Sequence, residues 1–321
     1  MKLGNRLLSV LLALSFAAGP VWSQAYPSRP IKMVVGFPAG GSTDIIARLI
    51  AKKISETLGQ PVVVDNKPGA ASNIAAQEVA RAPADGYTLL YMTSTLAVNE
   101  ALYPKLPFNL ASDFSPVTPV VDSPCVLSIH PSLAARNLKE FVALAKTTPG
   151  TITYASAGSG SASHLATELF KTMAGVDLLH VPYKGGGQAL TDFLGGHVKV
   201  LINCQISTVK DNARTGRLFP LAVTSRQRLS NMPELPTMSE AGITGYEATV
   251  WNGILAPVGT PRDVIAKINA SVAQAVKEST LALIEIGAYP MYSSPDNFNE
   301  FVKSEIGRWA AVVKRSGARA E

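Results

Sequence analysis

The chain has 321 residues, of which 47% are hydrophobic and only 16% charged, so it can bury a sizeable core and lacks the composition of a disordered protein. Its formal net charge is +6, and two of these charges, Lys2 and Arg6, lie in a segment that we expect to be removed. The other basic residues are scattered and form no stripe with aromatic platforms, which argues against nucleic-acid binding, whereas a mild positive charge suits anionic small ligands.

The N-terminus has the pattern of a secretory signal peptide. A short basic start, MKLGNR, precedes the apolar core LLSVLLALSFAAG, and Ser23 and Ala25 are small residues at the −3 and −1 positions of a cleavage site. A membrane anchor is the alternative, but the apolar run is short for a span of about 20 residues. We therefore expect residues 1–25 to be cleaved near Ala25, leaving a soluble protein in the periplasm.

The next part of the chain predicts alternating strands and helices. An apolar strand over 31–37 is followed by a helix over 43–58, in which apolar residues recur on one face. A strand over 61–66, a helix over 70–81 and a strand over 87–92 complete the series. This βαβαβ order predicts a parallel α/β sheet with helices on its faces.

The segment 106–124, LPFNLASDFSPVTPVVDSP, carries four prolines and little periodicity, so we interpret it as the passage out of a first domain. A second α/β series follows it, and a Pro-rich stretch over 232–248 precedes a last strand and two helices. The elements predicted here are strands within 125–130, 151–158, 177–183, 199–204, 218–225 and 251–261, and helices over 137–147, 163–174, 187–194, 261–278 and 295–315.

The first series offers only three strands, with little helix to cover both faces of its sheet. The C-terminal strand and helices are therefore most simply placed back on the first domain. This predicts two α/β lobes, each a mixed sheet flanked by helices, with two crossings and a ligand cleft between them. The first lobe would comprise 26–123 plus 249–321, and the second 124–248.

A glycine-rich loop follows the first predicted strand in the sequence VVGFPAGGSTDIIARLI. It nearly matches the phosphate loop G-x-x-x-x-G-K-[ST], but Ser42 stands in place of the lysine, so nucleotide binding is disfavoured. The start of the following helix still offers N–H groups and a positive dipole end to an anion. The predicted ligand-binding residues of this first glycine loop are Phe37, Pro38, Ala39, Gly40, Gly41, Ser42, Thr43 and Asp44. Asp44 also fits a purely dipole-stabilising role in the first helical turn.

A second loop of the same kind lies in YASAGSGSASHLATELF, within the second predicted lobe. Its G-x-G start is weak evidence for a dinucleotide site, because Ser163 stands at the third glycine position. Both loops also fit ordinary βα turns with serine caps, but one loop in each lobe favours ligand binding. We expect His164 to donate a hydrogen bond to ligand or backbone. The predicted ligand-binding residues of this second glycine loop are Ala157, Gly158, Ser159, Gly160, Ser161 and His164.

Three further residues complete the predicted site. Thr93 and Asn203 stand at the carboxyl ends of predicted strands, where ligands of open α/β sheets bind. Tyr183 can line the cleft as an amphipathic wall, since its ring is apolar and its hydroxyl is polar.

No pattern of catalytic or metal-binding residues stands out. His164 follows Ser163 directly, and neighbouring side chains on a helix do not face each other, so a catalytic Ser–His pair is disfavoured. Ser207 and Lys210 match S-x-x-K, but the companion motifs of penicillin-binding enzymes are missing. The four histidines are isolated in sequence. We expect no enzymatic activity, no metal and no cofactor.

The chain has two cysteines, Cys125 and Cys204, each in an apolar, strand-like run. In an oxidising compartment they can pair, but buried free thiols are at least as consistent with their surroundings. Spacing along the chain does not decide between the two, because a disulfide needs close Cα atoms.

Many segments resemble the Bug-type receptors of tripartite tricarboxylate transporters. They run from YPSRPIKMVVGFPAGGSTDIIARLIAKKISETLGQPVVVDNKPGAASNIAAQEVARAPADGYTLLYMT through YASAGSGSASHLA, VPYKGGGQALTDFLGGHV, PLAVTS and LPTMSEAG to WNGILAPVGTP. The resemblance covers the chain from about Tyr26 to its end. It implies the two-lobe periplasmic binding protein fold (type II) and capture of a carboxylated metabolite between the two glycine loops, often through ordered waters.

The resemblance also implies a partner, a membrane permease to which the ligand is delivered, and we expect the receptor itself to be a monomer. Many relatives carry Phe-Asp where this chain has Ile202-Asn203, which predicts a ligand without a free amine. Two other functions remain open from the sequence. One is a sensory receptor that signals to a membrane protein, and the other is a serine-dependent periplasmic hydrolase that uses the serines over 159–163.

Overall fold

Apolar runs become strands and amphipathic runs become helices through most of the chain. The computed structural model describes residues 26–103 and 105–316, and the predicted signal peptide lies outside them. In chain order the elements are β1 (Ile31–Val35), α1 (Ser42–Leu58), β2 (Val62–Asn66), a short 3₁₀ helix (Ala70–Ser72), α2 (Asn73–Ala80), β3 (Thr88–Thr93), α3 (Thr95–Leu102), β4 (Phe114–Ser123), β5 (Val126–Ile129), α4 (Leu138–Thr147), β6 (Thr153–Ser156), α5 (Ala162–Ala174), β7 (Leu179–Pro182), α6 (Gly186–Leu194), β8 (Val200–Asn203), α7 (Ile206–Arg214), β9 (Phe219–Val223), β10 (Val250–Pro257), α8 (Arg262–Glu278), α9 (Thr280–Glu285), β11 (Tyr289–Pro290) and α10 (Pro295–Ser316).

The first sheet has six strands in the order β11-β4-β10-β3-β1-β2. The strand β1 runs parallel to β2 and β3, whereas β10 runs antiparallel to both of its neighbours, β3 and β4. The apolar face of α1, with Ile46, Ile50 and Ile54, packs into the same buried cluster as Ile31 and Met33 of β1. A mixed sheet flanked by helices therefore forms the first lobe. The strand β10, which follows the second lobe in the chain, lies near the centre of this sheet.

The second sheet has five strands in the order β7-β6-β8-β5-β9. The strand β6 pairs in parallel with β7 and β8, and β5 pairs antiparallel with β8 and β9. The long helix α10 contacts α3 of the first lobe and α5 of the second. The predicted α/β fold with two lobes, each a mixed sheet flanked by helices, is thus confirmed.

The segment 106–124, interpreted as the passage out of the first domain, contains the ten-residue strand β4 of the first sheet, which its prolines and weak periodicity did not predict. The pairing of β4 with β10 shifts register between Asn252 and Gly253 and between Ile254 and Leu255. Pro119 pairs with Gly253 and Pro116 with Leu255, so the irregularities occur beside the prolines. A proline cannot donate to the ladder, and a bulge lets the strand continue past it.

The predicted helix over 70–81 is also corrected. Its first turn is the 3₁₀ helix, in which Ala70, Ala71 and Ser72 have φ values of 46°, 51° and 76°. The α-helix begins only at Asn73. Three short helices, α3, α7 and α9, were not predicted, because an apolar period is hard to recognise over six to nine residues.

Candidate functional site

The first glycine loop turns sharply between β1 and α1. A Cβ on Gly36, just before the loop, would lie 1.7 Å from Ser72 Oγ, so only glycine allows the close approach to the 3₁₀ helix. The helix α1 begins at Ser42 with Gly41 as its N-cap, and no side chain caps it. Its first turn therefore keeps N–H donors for an external acceptor.

Asp44 holds the first glycine loop from behind. Its Oδ2 accepts hydrogen bonds from the Gly40 N–H (2.8 Å) and from Arg48 Nε (3.0 Å), and its Oδ1 accepts one from Asn66 Nδ2 (2.9 Å). Burial alone would raise the pKa of this carboxyl, but the hydrogen bonds from Arg48, Gly40 and Asn66 outweigh it and lower the pKa. Both oxygens are thus engaged by the protein, which gives Asp44 a structural role in the loop.

The open face of the first glycine loop lines a cavity of about 470 Å³, which we call the main cavity. Four segments enclose it, and two of them come from different lobes. They are Gly40, Gly41, Ser42, Thr43, Ile45 and Ile46 of the first loop and α1; Cys204, Gln205, Ser207 and Thr208 at the start of α7; Ser123, Val250 and Asn252 at the crossings; and Glu285, Ile286, Gly287 and Ala288 at the end of α9 and just after it. Its size is in the range of small-molecule binding sites.

Hydroxyl and amide groups dominate the polar lining of the main cavity. Ser42 and Thr43 come from the first loop, and Ser207 and Thr208 from the start of α7. Glu285 is the one charged residue among the described residues that line it. The cavity thus offers neutral donors and helix N-termini to a ligand, and its lining within the described part of the chain contains no cationic side chain.

The second glycine loop is organised by its own side chains. Ser161 caps α5, because its Oγ accepts a hydrogen bond from the His164 backbone N–H (3.3 Å). Ser163 Oγ accepts one from the Ala157 N–H (3.1 Å). The Gly160 N–H donates to His164 Nδ1 (2.9 Å), so at this nitrogen the histidine accepts a hydrogen bond from the backbone, where we expected it to donate.

His164 belongs to a buried stack of aromatic rings. Its ring lies 4.1 Å from that of His180, centroid to centroid, with an interplanar angle of 5°, and the ring of Tyr154 lies 4.7 Å from that of His180 and 6.3 Å from that of His164. His180 Nε2 contacts Ser156 Oγ at 2.6 Å, and Tyr154 donates to Glu168 Oε1 at 2.6 Å. This packing holds the second loop and leaves only 6% of His164 exposed.

The two glycine loops do not line one cavity. Gly160 faces a narrow crevice with a free volume of about 10 Å³, between the lobes and against Ser94 and Thr95. A Cβ on Gly160 would lie 2.3 Å from Leu102 Cδ2 of α3, so this loop is in direct contact with the first lobe. Val250 lines both the crevice and the main cavity. The second loop therefore lies across the crossing from the main cavity.

The remaining predicted residues of the first loop differ in exposure. Pro38 and Ala39 are exposed, while the ring of Phe37 packs against the apolar cluster of the first lobe. The Phe37 carbonyl accepts a hydrogen bond from Asn66 Nδ2 (3.0 Å). In the second loop, Ala157, Gly158 and Ser159 are half-buried, and a Cβ on Gly158 would lie 3.2 Å from the Tyr183 carbonyl oxygen.

Thr93, Tyr183 and Asn203 each have a partner within the protein. Thr93 is buried, and its Oγ1 accepts a long hydrogen bond (3.4 Å) from the Thr95 N–H. The Tyr183 hydroxyl donates to Asp192 Oδ2 (2.8 Å). Burial, followed by this carboxylate, raises the pKa of Tyr183 to about 12. Asn203 Oδ1 accepts from the Gln205 N–H (2.8 Å) at the entrance to α7. None of these three lines the main cavity, as far as the described residues define it.

Cys125 and Cys204 form a disulfide, which settles the choice between a bridge and free thiols. The strands β5 and β8, which begin and end beside these residues, are antiparallel neighbours, so the fold brings the two together. Cys125 lines the crevice and Cys204 lines the main cavity. The bridge therefore links the first crossing to the start of α7.

Acidic groups surround the two crossings. Glu305 of α10 is buried, and its Oε2 accepts hydrogen bonds from Trp251 Nε1 and from Arg308, both at 2.8 Å. Arg308 also donates to the Glu247 carbonyl (2.7 Å). Burial, with smaller contributions from Glu247 and Glu305, raises the pKa of Asp122 to about 6, while Thr249 lowers it. The region of the two crossings thus contains a carboxyl whose pKa is raised into the mildly acidic range.

The sequence did not reveal Asn252, Glu285 or the start of α7 as parts of the main cavity. The signal was present for α7, because Ile206, Val209 and Ala213 follow a helical period. In the described part of the chain no three acidic, histidine or cysteine side chains group as metal ligands do. None of the described helices has the length and apolar character that crossing a membrane requires.

Two mixed sheets joined by two crossings, with a cavity between them, define the fold of a periplasmic solute-binding protein. The chain belongs to the receptor family of tripartite tricarboxylate transporters, because a family model described as "Tripartite tricarboxylate transporter family receptor" matches residues 46–318. It is 40% identical to protein BugT of Bordetella pertussis over 322 residues, which is 98% of each chain.

Two solved structures are similar to this chain and carry a dicarboxylate. One, titled "R. palustris Rpa4515 with adipate", is 39% identical with a TM-score of 0.80, and the match covers 92% of this chain and 99% of that one. The other is MatC from Rhodopseudomonas palustris with bound malate, 33% identical with a TM-score of 0.75, covering 90% of this chain and all of that one. The family and these neighbours are solute-binding receptors.

Proposed function

We propose that this receptor captures a small carboxylated metabolite in the main cavity, with residues 40–43 as the cradle for a carboxylate. The observation that carries the proposal is the uncapped start of α1, which faces a cavity of about 470 Å³ enclosed by both lobes. N–H groups and hydroxyls at a helix start favour an anion without a fixed cation. The adipate and malate of the two similar structures support a carboxylate.

We further propose that ligand binding closes the lobes by a hinge motion at the two crossings. The lobes would comprise 26–123 plus 249–321 and 124–248, as predicted. Residues 40–43 and the start of α7 stand on different lobes, so a ligand that contacts both favours the closed arrangement. The second glycine loop, residues 157–164, remains a predicted part of the clamp and would act through its contact with α3.

The family supports delivery of the ligand to a membrane permease of the tripartite tricarboxylate type. We propose that the chain is exported with removal of residues 1–25 and works as a monomer in the periplasm. A catalytic role is disfavoured by the second loop. Ser161 and Ser163 accept backbone hydrogen bonds there, and His164 is almost fully buried.

A thermal-shift screen of organic acids tests the carboxylate proposal. A ligand at 100 times its Kd stabilises the protein by about 2.7 kcal/mol. In Gly41→Val the new side chain enters the main cavity and should abolish that shift, since Gly41 has an ordinary φ of −76° that valine adopts. The matched control is Gly307→Val, on an open face of α10, which should keep it. An unchanged shift in Gly41→Val would exclude the first loop as the site.

A further inference from the structure

Two histidines hold the backbone of the second glycine loop. The Gly160 N–H donates to His164 Nδ1 (2.9 Å). The Gly158 N–H donates to Ser156 Oγ (3.2 Å), and this hydroxyl contacts His180 Nε2 at 2.6 Å. Both glycines have positive φ values, 78° at Gly160 and 124° at Gly158, so these hydrogen bonds fix an unusual backbone turn. The shape of the loop therefore depends on two imidazole rings.

The hydrogen bond at Gly160 exists only while His164 is neutral. An imidazole nitrogen that accepts an N–H carries no proton, whereas both nitrogens of an imidazolium are donors. A proton on Nδ1 would therefore place two donors against each other. The ring is only 6% exposed and stacks on His180, so it has little room to turn away.

Loss of this hydrogen bond would affect the contact between the lobes. Gly160 lies against Leu102 of α3, in the first lobe, because a Cβ added to Gly160 would be 2.3 Å from Leu102 Cδ2. Gly160 also lines the crevice between the lobes. The contact on this side of the crossings thus depends on where the loop is held, and so on the charge of one ring.

The charged groups beside the stack are paired with one another. Glu168 of α5 is buried, and its Oε1 accepts hydrogen bonds from the Tyr154 hydroxyl (2.6 Å) and from Lys171 Nζ (2.9 Å). Lys171 Nζ also lies 3.8 Å from Asp177 Oδ1. Burial, followed by Glu168, raises the pKa of Tyr154, so the phenol stays neutral. This cluster therefore offers the histidines no unpaired anion that would balance a positive charge.

The neighbouring elements carry further titratable groups, and these are either engaged by atoms outside the stack or exposed. The engaged groups are Glu100 of α3, Tyr183 with Asp192 of α6, Lys199 before β8, Tyr246, and Glu305 and Arg308 of α10. The exposed groups are Lys139, Glu140 and Lys146 of α4 and Lys184 after β7.

We propose that His164 is a pH switch of the second glycine loop and that His180 sets the pH at which it acts. At neutral pH, the neutral His164 ring holds Gly160 against Leu102. In acid, a proton on Nδ1 removes the hydrogen bond and releases the loop from the first lobe. The ring centroids of His164 and His180 are 4.1 Å apart, so a charge on either ring opposes a charge on the other. The switch needs no ligand and does not depend on the proposed function.

NMR on the wild-type protein tests the switch. Between pH 7.5 and pH 4.5, a range that includes the ordinary histidine pKa of about 6.5, the Gly160 amide should lose about tenfold or more of its protection from hydrogen exchange, corrected for the intrinsic rate at each pH. The Overhauser contact between Gly160 and the Leu102 methyl groups should disappear with it. The ¹⁵N shift of His164 Nδ1 should report protonation over the same pH range, while the amides of β8 stay protected.

Three results would overturn the inference. One is unchanged protection of Gly160, and another is loss of its protection while His164 Nδ1 is still unprotonated. The third is loss of protection in β8 at the same pH, because the release would then be global unfolding.

A variant that keeps the acceptor and removes the titration tests the role of His164. In His164→Asn, the side-chain Oδ1 takes the place of Nδ1 and cannot be protonated, so the protection of Gly160 should be the same at both pH values. The matched control is His197→Asn, the same change at an exposed histidine, which should switch as the wild type does. Acid release in His164→Asn as in the wild type would contradict the assignment. If His164→Asn does not fold, the wild-type measurements decide.

The role of His180 is tested separately. His180→Gln keeps a polar group that can reach Ser156 and removes the second charge from the stack. The pH midpoint for release of Gly160 should therefore rise by about one unit. An unchanged midpoint would remove His180 from the switch.

Discussion

The two glycine loops share one internal hydrogen bond and differ in its acceptor. In each loop a glycine with positive φ, Gly40 or Gly160, donates its N–H to the side chain four residues later. The acceptor is the charged carboxylate of Asp44 in the first loop and the ring of His164 in the second. The same backbone turn therefore presents an open helix start in one lobe and a closely packed contact surface in the other.

This difference shows that a strand, a glycine loop and a helix do not by themselves define a binding site. In the first loop, Asp44 holds the backbone through the Gly40 N–H, and the N–H groups at the start of α1 remain open to the main cavity. In the second loop, Ser161 caps the helix and Leu102 lies within contact distance of Gly160, so little space remains. The direction from which the loop is held decides whether it is left open to a ligand.

The largest expected effect comes from removing Asp44, the acceptor of the first loop. Asp44→Ala removes the carboxylate that accepts hydrogen bonds from the Gly40 N–H, Arg48 and Asn66. It should destabilise the protein by about 3 kcal/mol at pH 7 and abolish ligand binding. The folded-state pKa of Asp44 is lowered, so its contribution to stability is present above its unfolded pKa and is lost as the pH falls through the folded value. Urea unfolding of both proteins from pH 7 to pH 3 measures this, and a deficit that does not shrink with acid would contradict the assignment.

A substitution at Gly160, where the second loop contacts Leu102, should destabilise the protein nearly as much. Gly160→Ala puts a Cβ 2.3 Å from Leu102 Cδ2 at a φ of 78°, and we expect a loss of about 2 kcal/mol. In a protein that already carries Leu102→Ala, the clash is relieved. Adding Gly160→Ala to that protein should therefore cost less stability than Gly160→Ala costs in the wild type. Gly41→Ala is the counterpart in the first loop, where the nearest atom is 3.5 Å away, and its stability should change by less than about 0.5 kcal/mol. Equal losses in the two glycine variants would break the comparison.

Asp122, which lies at the first crossing, gives a third prediction. The folded-state pKa of Asp122 is raised to about 6, above the value near 4 of an aspartate in the unfolded chain. The protonated carboxyl therefore contributes stability that is fully present below pH 4 and is lost as the pH rises through about 6. Asp122→Asn mimics the protonated form and should stabilise the protein by on the order of 2 kcal/mol at pH 7.5. Near pH 4 the variant and the wild type should unfold together in denaturant. A gain that is the same at both pH values would show that Asp122 does not titrate in this way.

The smallest expected effect concerns the two helix starts. Ser161→Ala removes the cap of α5 and should cost about 1 kcal/mol, whereas Ser42→Ala removes no cap from α1 and should change stability by less than about 0.5 kcal/mol. Thermal melting without ligand measures both. A larger loss in Ser42→Ala than in Ser161→Ala would reverse the roles given to the loops.

The sequence predicted the two α/β series and both glycine loops, because long apolar periods and glycine-rich turns are local signals. It could not predict that Gly160 meets Leu102, or that α7 and Asn252 share the main cavity with residues 40–43, because these contacts depend on how the lobes are placed. The disulfide was left open for the same reason: Cys125 and Cys204 are 79 residues apart and meet only through the pairing of β5 with β8.

The position of β10 has a consequence for the order in which the lobes can form during synthesis. The five strands of the second sheet are contiguous in the chain, from β5 to β9, and they are complete before β10 has been made. In the first sheet, β4 has only β10 and β11 as neighbours, so it stays unpaired until the chain has returned. The lobe that is begun first is therefore finished last, and its edge at β3 remains exposed to other chains while residues 94–249 are being made.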